Sequence, residues 1–161
     1  MPINKLTRLA ILTALSCVLR FSMSALPNVK PITALFFVIM LCFGLSDAIL
    51  VSALTMILTG LLMGFSIIIL GQIVSYAIIL TIASMLCRIL SNLIIRTGLV
   101  FLLTMLYGFV ISIFSAYLFG ASFWPFWLGG LTFDLAHAIS TALFFPIIFG
   151  IFNRLLKQKV I

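Results

Sequence analysis

Gly130-Leu131-Thr132-Phe133-Asp134-Leu135-Ala136-His137-Ala138-Ile139-Ser140-Thr141 holds the only histidine of the chain and one of its two acidic residues. Both lie inside an apolar run that continues to about residue 152. Read as a helix, the run puts Asp134 and His137 at i and i+3, on one face, with Thr141 a turn further along the same stripe. A carboxyl group and an imidazole at membrane depth are costly and need a partner, a water or a ligand. The face therefore either meets a polar solute or holds a pair that satisfies itself and ties helices together.

The surrounding composition makes membrane depth the right frame. The chain has 161 residues, 65% hydrophobic and 7% charged, with a mean hydropathy of +1.46. That balance is not that of a soluble domain. A spanning helix takes about 20 apolar residues, so six spans would use roughly 120 and leave only short loops. The reading is a single all-α membrane domain over residues 1–161, with no room for a soluble catalytic or nucleotide-binding domain. The net charge of +7 comes from cations scattered in ones and twos at the ends of apolar runs, which fits membrane topology and not nucleic acid. The basic start lacks a small-residue cleavage site after a short apolar core, so no cleavable signal is expected. Cys17, Cys42 and Cys87 are isolated, without a CxxC pair, so neither a metal nor a thiol-redox centre is expected.

Taken in order, span one covers about 5–23, with Ala10, Ala14 and Cys17 in a small-residue stripe and Arg20 near its end, placed to snorkel. Leu26-Pro27-Asn28-Val29-Lys30-Pro31 follows, a stiff loop presenting an amide and an ammonium. It suits either a plain connection or a preformed binding surface. Span two covers about 32–45 and is broken by Ser46-Asp47, where Asp47 can cap the next helix. Span three covers about 48–63, with a polar packing stripe of Ser52, Thr55 and Thr59, and ends in Gly60-xxx-Gly64, whose glycines suit either helix packing or the turn. Span four covers about 67–88 and places Gln72, Ser75 and Tyr76 on one face, where a buried glutamine needs partners. A basic connection from 88 to 96 leads to span five, about 99–119, with Thr104 and Tyr107. The aromatic stretch 120–127, with Trp124 and Trp127, reads as an interfacial belt or as a lid over a ring-shaped ligand. Span six covers about 128–152.

Six spans put both termini and the connections after spans two and four on one side. That side carries Lys5, Arg8, Arg88, Arg96, Arg154, Lys157 and Lys159, against Arg20 and Lys30 on the other. Seven against two predicts cytoplasmic termini. Asn28, Lys30, Gln72, Tyr76, Asp134 and His137 then gather toward the outer half of the membrane.

Two motifs carry a resemblance that covers nearly the whole chain. Leu26-Pro27-Asn28-Val29-Lys30-Pro31-Ile32-Thr33-Ala34 resembles the LPNV-x-P-[VI]-T-A loop, and Phe133-Asp134-Leu135-Ala136-His137-Ala138 the FDLxHA stretch, of a branch of the substrate-binding S components of energy-coupling factor vitamin transporters. The resemblance implies a bacterial plasma-membrane protein that binds one vitamin or precursor from outside. It implies docking through Ala10 and Ala14 on a membrane coupling subunit that works with two cytoplasmic ATPases. Like that family, the chain has no Walker A sequence, and no cofactor is expected. Some members of the branch carry an aromatic-rich stretch between spans three and four, where this chain has Phe65-Ser66-Ile67-Ile68-Ile69-Leu70-Gly71-Gln72. The implied ligand is a small heteroaromatic compound such as hydroxymethylpyrimidine or pyridoxine, with cobalamin as the alternative. Asn28, Lys30, Gln72, Tyr76, Tyr107, Trp124, Asp134 and His137 are the candidate binding residues. An intramembrane enzyme using Asp134 and His137 as an acid–base pair, and a purely structural subunit, are the readings from other classes. The enzyme reading lacks a nucleophile or a second metal ligand, so no catalytic activity is expected.

Overall fold

The computed structural model describes residues 3–24 and 29–156. Among them are six helices: α1 (Ile3–Ser22), α2 (Ile32–Phe43), α3 (Leu45–Met63), α4 (Ile68–Leu86), α5 (Leu93–Phe119) and α6 (Phe123–Leu156). Helices α3 to α6 are long and apolar enough to cross a membrane. Helix α1 has the length but carries Lys5, Arg8 and Arg20. Helix α2 has 12 residues, which at 1.5 Å per residue reach only about 18 Å.

The short helix is the centre of the molecule. Its sequence, ITALFFVIMLCF, is apolar all round, which is the pattern of a helix with no solvent or lipid face. Residues 32–40 are all buried, with Phe36, Val38 and Ile39 at 0% exposure. The other five helices all touch it, and α1, α3, α4, α5 and α6 pack one on the next as an arc around it. The outer faces of the arc stay apolar: Leu102 is 63% and Leu143 65% exposed. Such faces suit lipid rather than water.

Six of the buried hydroxyl groups inside the bundle are satisfied by the carbonyl one turn back in their own helices. Ser16, Thr55, Thr59, Ser75, Thr104 and Thr141 each donate to the backbone carbonyl four residues earlier. The stripe Ser52, Thr55 and Thr59 is therefore buried without polar contacts to another helix being needed.

Several local expectations are corrected. Asp47 does not cap α3, which begins after Gly44 without a side-chain cap. Its carboxylate, 1% exposed, instead binds Lys5 at 2.9 Å and also Arg8, pinning the start of α1 to the start of α3. For Gly64, of the two readings offered, the turn holds: it ends α3 at φ 111, a conformation open to glycine, and no neighbour packs against it. Arg96 is not in a loop. Asn92 caps α5 by accepting from the Ile94 and Ile95 amides, and Arg96, buried one turn on, donates to the Cys87 carbonyl at the end of α4 and to the Leu90 carbonyl in the connection after it. Span six starts earlier than expected. The Trp-rich stretch is the first turn of α6, where Pro125 costs nothing because the first N–H groups of a helix have no intrahelical partner.

Candidate functional site

A cavity of about 180 Å³ lies where the helices converge on the end of the bundle that carries the α1–α2, α3–α4 and α5–α6 connections. All six helices contribute to it: Arg20 from α1, Ile32 from α2, Met56 from α3, Gln72 and Tyr76 from α4, Tyr107 and Ile111 from α5, Asp134 and His137 from α6. Lys30 adds a wall from the α1–α2 connection. The structure thus brings together six of the sequence-derived candidates, Lys30, Gln72, Tyr76, Tyr107, Asp134 and His137. Asn28, with the start of its loop, and Lys157 and Lys159 lie outside the described residues.

One side of the cavity is rigid. Thr33, in the first turn of α2 and fully buried, is 2.9 Å from the Tyr76 hydroxyl and 2.8 Å from His137 Nε2. One hydroxyl therefore joins α2, α4 and α6. The Tyr76 and Tyr107 rings lie 4.5 Å apart, Phe36 meets Tyr76 edge-on at 5.0 Å, and Tyr107 meets His137 edge-on at 5.5 Å. Such arrangements favour aromatic pairs beyond their packing alone. They fix two phenols and an imidazole before any ligand arrives.

The other side is left with unused polar atoms. Asp134 does not pair with His137, which has turned to Thr33. Its carboxyl group lies against Gly108 of α5, where a Cβ atom would fall on the carboxylate itself. The glycine is what lets the two helices approach with an acid between them. Asp134 Oδ2 and Gln72 Oε1 are buried and have no hydrogen-bond partner. A buried polar atom left unpaired costs about 1–3 kcal/mol, so two of them facing one cavity describe a place made for donors. Lys30 lies in a connection, and burial, followed by the nearby Arg20 charge, pulls its pKa below the ordinary lysine value.

Three candidates, Trp124, Ala10 and Ala14, stand elsewhere. Trp124 is 63% exposed and packs with Phe123 and Trp127, while Trp127 also meets Phe109 of α5. It joins an aromatic cluster outside the cavity wall and forms no lid over it. Ala10 and Ala14 are both exposed, turned away from the bundle along with Ile11 and Val18. Sequence reasoning missed Thr33 and Arg20. The signal for Thr33 was its place directly after Pro31-Ile32, at the start of an otherwise apolar helix. Arg20 was read as snorkelling, but its guanidinium reaches inward, with Nη1 2.6 Å from Met56 Sδ. No family model, curated protein or solved structure matches this chain.

Proposed function

We propose that the chain is the solute-capture subunit of an importer of the energy-coupling factor type. In this reading it spans the membrane six times with both ends in the cytoplasm, and the cavity faces outward. It takes up one small heteroaromatic vitamin or precursor, with hydroxymethylpyrimidine or pyridoxine as the best chemical fits. The observation that carries the reading is the cavity itself, walled by all six helices, rigid on one side and holding the unpaired oxygens of Gln72 and Asp134 on the other. Ligand sites are concave, mostly preformed and supplied with a few convergent polar groups. The volume favours a single ring over a corrinoid, which is several-fold larger. Asp134 and His137 turn to different neighbours, which gives no support to a paired acid–base reaction.

The test is to purify the chain from bacterial cells in mild detergent and analyse a solvent extract by mass spectrometry. A ring compound at about one per chain is the expected result. An extract with no small molecule, from protein whose producing cells also show no gain in vitamin uptake, would reject the reading in favour of a structural subunit.

A further inference from the structure

Among the described residues, five of the seven lysine and arginine side chains form no ion pair, and two of the five, Arg20 and Lys30, belong to the cavity end of the bundle. Asp47 holds Lys5 and Arg8 at the far end of the bundle. The only other acid, Asp134, rests against Gly108 and forms no ion pair with Arg20 or Lys30. Yet Arg20 and Lys30 line the same cavity. The polar contact of the Arg20 guanidinium is a thioether, a weak acceptor, and its Nε, buried, has no partner. The two cations are close enough for Arg20 to depress the Lys30 pKa. With two positive groups against one carboxylate, the cavity has room for one more negative charge.

We infer that the compound bound here carries one anionic group, a carboxylate or a phosphate, held between Arg20 and Lys30, while its ring reaches Gln72 and Asp134. The inference rests on the cavity being a binding site and adds the charge of what it binds. The planar guanidinium fork matches a carboxylate or phosphate edge, and the ammonium supplies a point charge beside it. Gln72 and Asp134 offer acceptors with no internal donor, so the ring end carries hydrogen-bond donors. The ligand is polar at both ends, anion toward the α1–α2 connection and donors toward α6. A solute and a lipid headgroup could each present such an anion.

The test uses the full chain in phosphatidylcholine nanodiscs at fixed ionic strength, with nicotinate and nicotinamide as probes. They share a ring and differ at one substituent, an anionic carboxylate in nicotinate and a neutral, donor-bearing amide in nicotinamide, so a preference for nicotinate runs against the donor count and reports the charge. Nicotinate should raise the melting temperature and bind at least about tenfold tighter than nicotinamide, as expected for one charge-assisted contact. Arg20→Gln and Lys30→Gln should each erase that preference; Lys30→Gln, in a connection, keeps the test valid if the first variant folds poorly. Equal responses to both probes, unchanged in either variant, would overturn the charge inference and leave the solute site standing. If neither probe binds, the compound extracted from the purified chain decides: a carboxylate or phosphate supports the inference and an uncharged compound overturns it. An extract without a small molecule, from a chain that phosphatidylglycerol does not stabilise either, rejects inference and site together. A phosphatidylglycerol arm identifies the source. Stabilisation by that lipid, lost in Lys30→Gln and not increased by nicotinate, supports the anion site and assigns it to a headgroup.

Discussion

At the scale of single residues, the division of labour between Asp134 and His137 is the main result. Their i, i+3 spacing makes them look like a couple, but His137 is bound to Thr33 and Asp134 is held by the missing side chain of Gly108. His137 is thus part of the cavity's frame, and Asp134 is a free acceptor in its wall. The consequences differ. Asp134→Asn should cost tenfold or more in ligand affinity, because a hydrogen bond to a charged group contributes about 1.5–3 kcal/mol and each 1.4 kcal/mol is a factor of ten. It should leave the melting temperature nearly unchanged. His137→Ala should lower both, since it also removes a buried tie between α2 and α6. Gly108→Ala should mimic Asp134→Asn in affinity by pushing the carboxylate aside. Titration and thermal unfolding on the same preparations check this. A fall in melting temperature at unchanged affinity in Asp134→Asn would return that residue to a structural role.

At the scale of elements, the apolar runs made the helices legible and hid their arrangement. In lipid, a face packed on protein and a face packed on tails are equally apolar, so hydropathy marks each helix but cannot say which one lies inside. Helix α2 was readable as short; that it is the centre follows only from its neighbours. Its length agrees with an inner place, because a helix shorter than the bilayer can carry the chain across only where the backbone at its ends is buried in protein. The same limit explains the site. Gln72, Tyr76, Asp134 and His137 were legible because polar residues are rare within apolar runs. Thr33 was not, since threonines are common there and most satisfy themselves. Trp124 was misplaced because Pro125 reads as a loop, although a helix tolerates proline in its first turn. Helix α1 is the element with the most to spare. It packs on α3 and slightly on α2, leaving Ala10 and Ala14 on an unfilled face. In the importer reading that face meets the coupling subunit, and small residues allow the close approach. Trp at both positions should abolish assembly with the coupling subunit and ATPases, and uptake with it, while ligand affinity stays within about twofold, under the 1.4 kcal/mol that a tenfold change requires. Co-purification of the variant with the partner subunits would show that α1 docks elsewhere.

At the scale of the whole molecule, charge is sorted between two ends. The end with the termini carries the Lys5, Arg8 and Asp47 cluster together with Arg88, Arg96 and Arg154. The end with the cavity has Arg20, Lys30 and Asp134. Positive residues are retained on the cytoplasmic side, so this sorting predicts an orientation as well as a topology. The importer reading asks for the same orientation. A solute arriving from outside needs a cavity on the outer side, and the cationic end, with its anchored start of α1, is then the one available to cytoplasmic ATPases. The prediction separates cleanly at two exposed positions. Ser122, in the α5–α6 connection, and Asn92, at the start of α5, lie at opposite ends of the 27 residues of α5. With single cysteines at each position in a chain whose three native cysteines are replaced, a membrane-impermeant maleimide should label position 122 in intact cells and position 92 only after the membrane is opened. Because Asn92 is also the α5 cap, losing it costs about 1 kcal/mol, which is too little to invert a helix packed on both α4 and α6. Labelling at 92 from outside, with 122 protected, would turn the molecule over and place the cavity on the cytoplasmic side, where capture of an external solute could not occur.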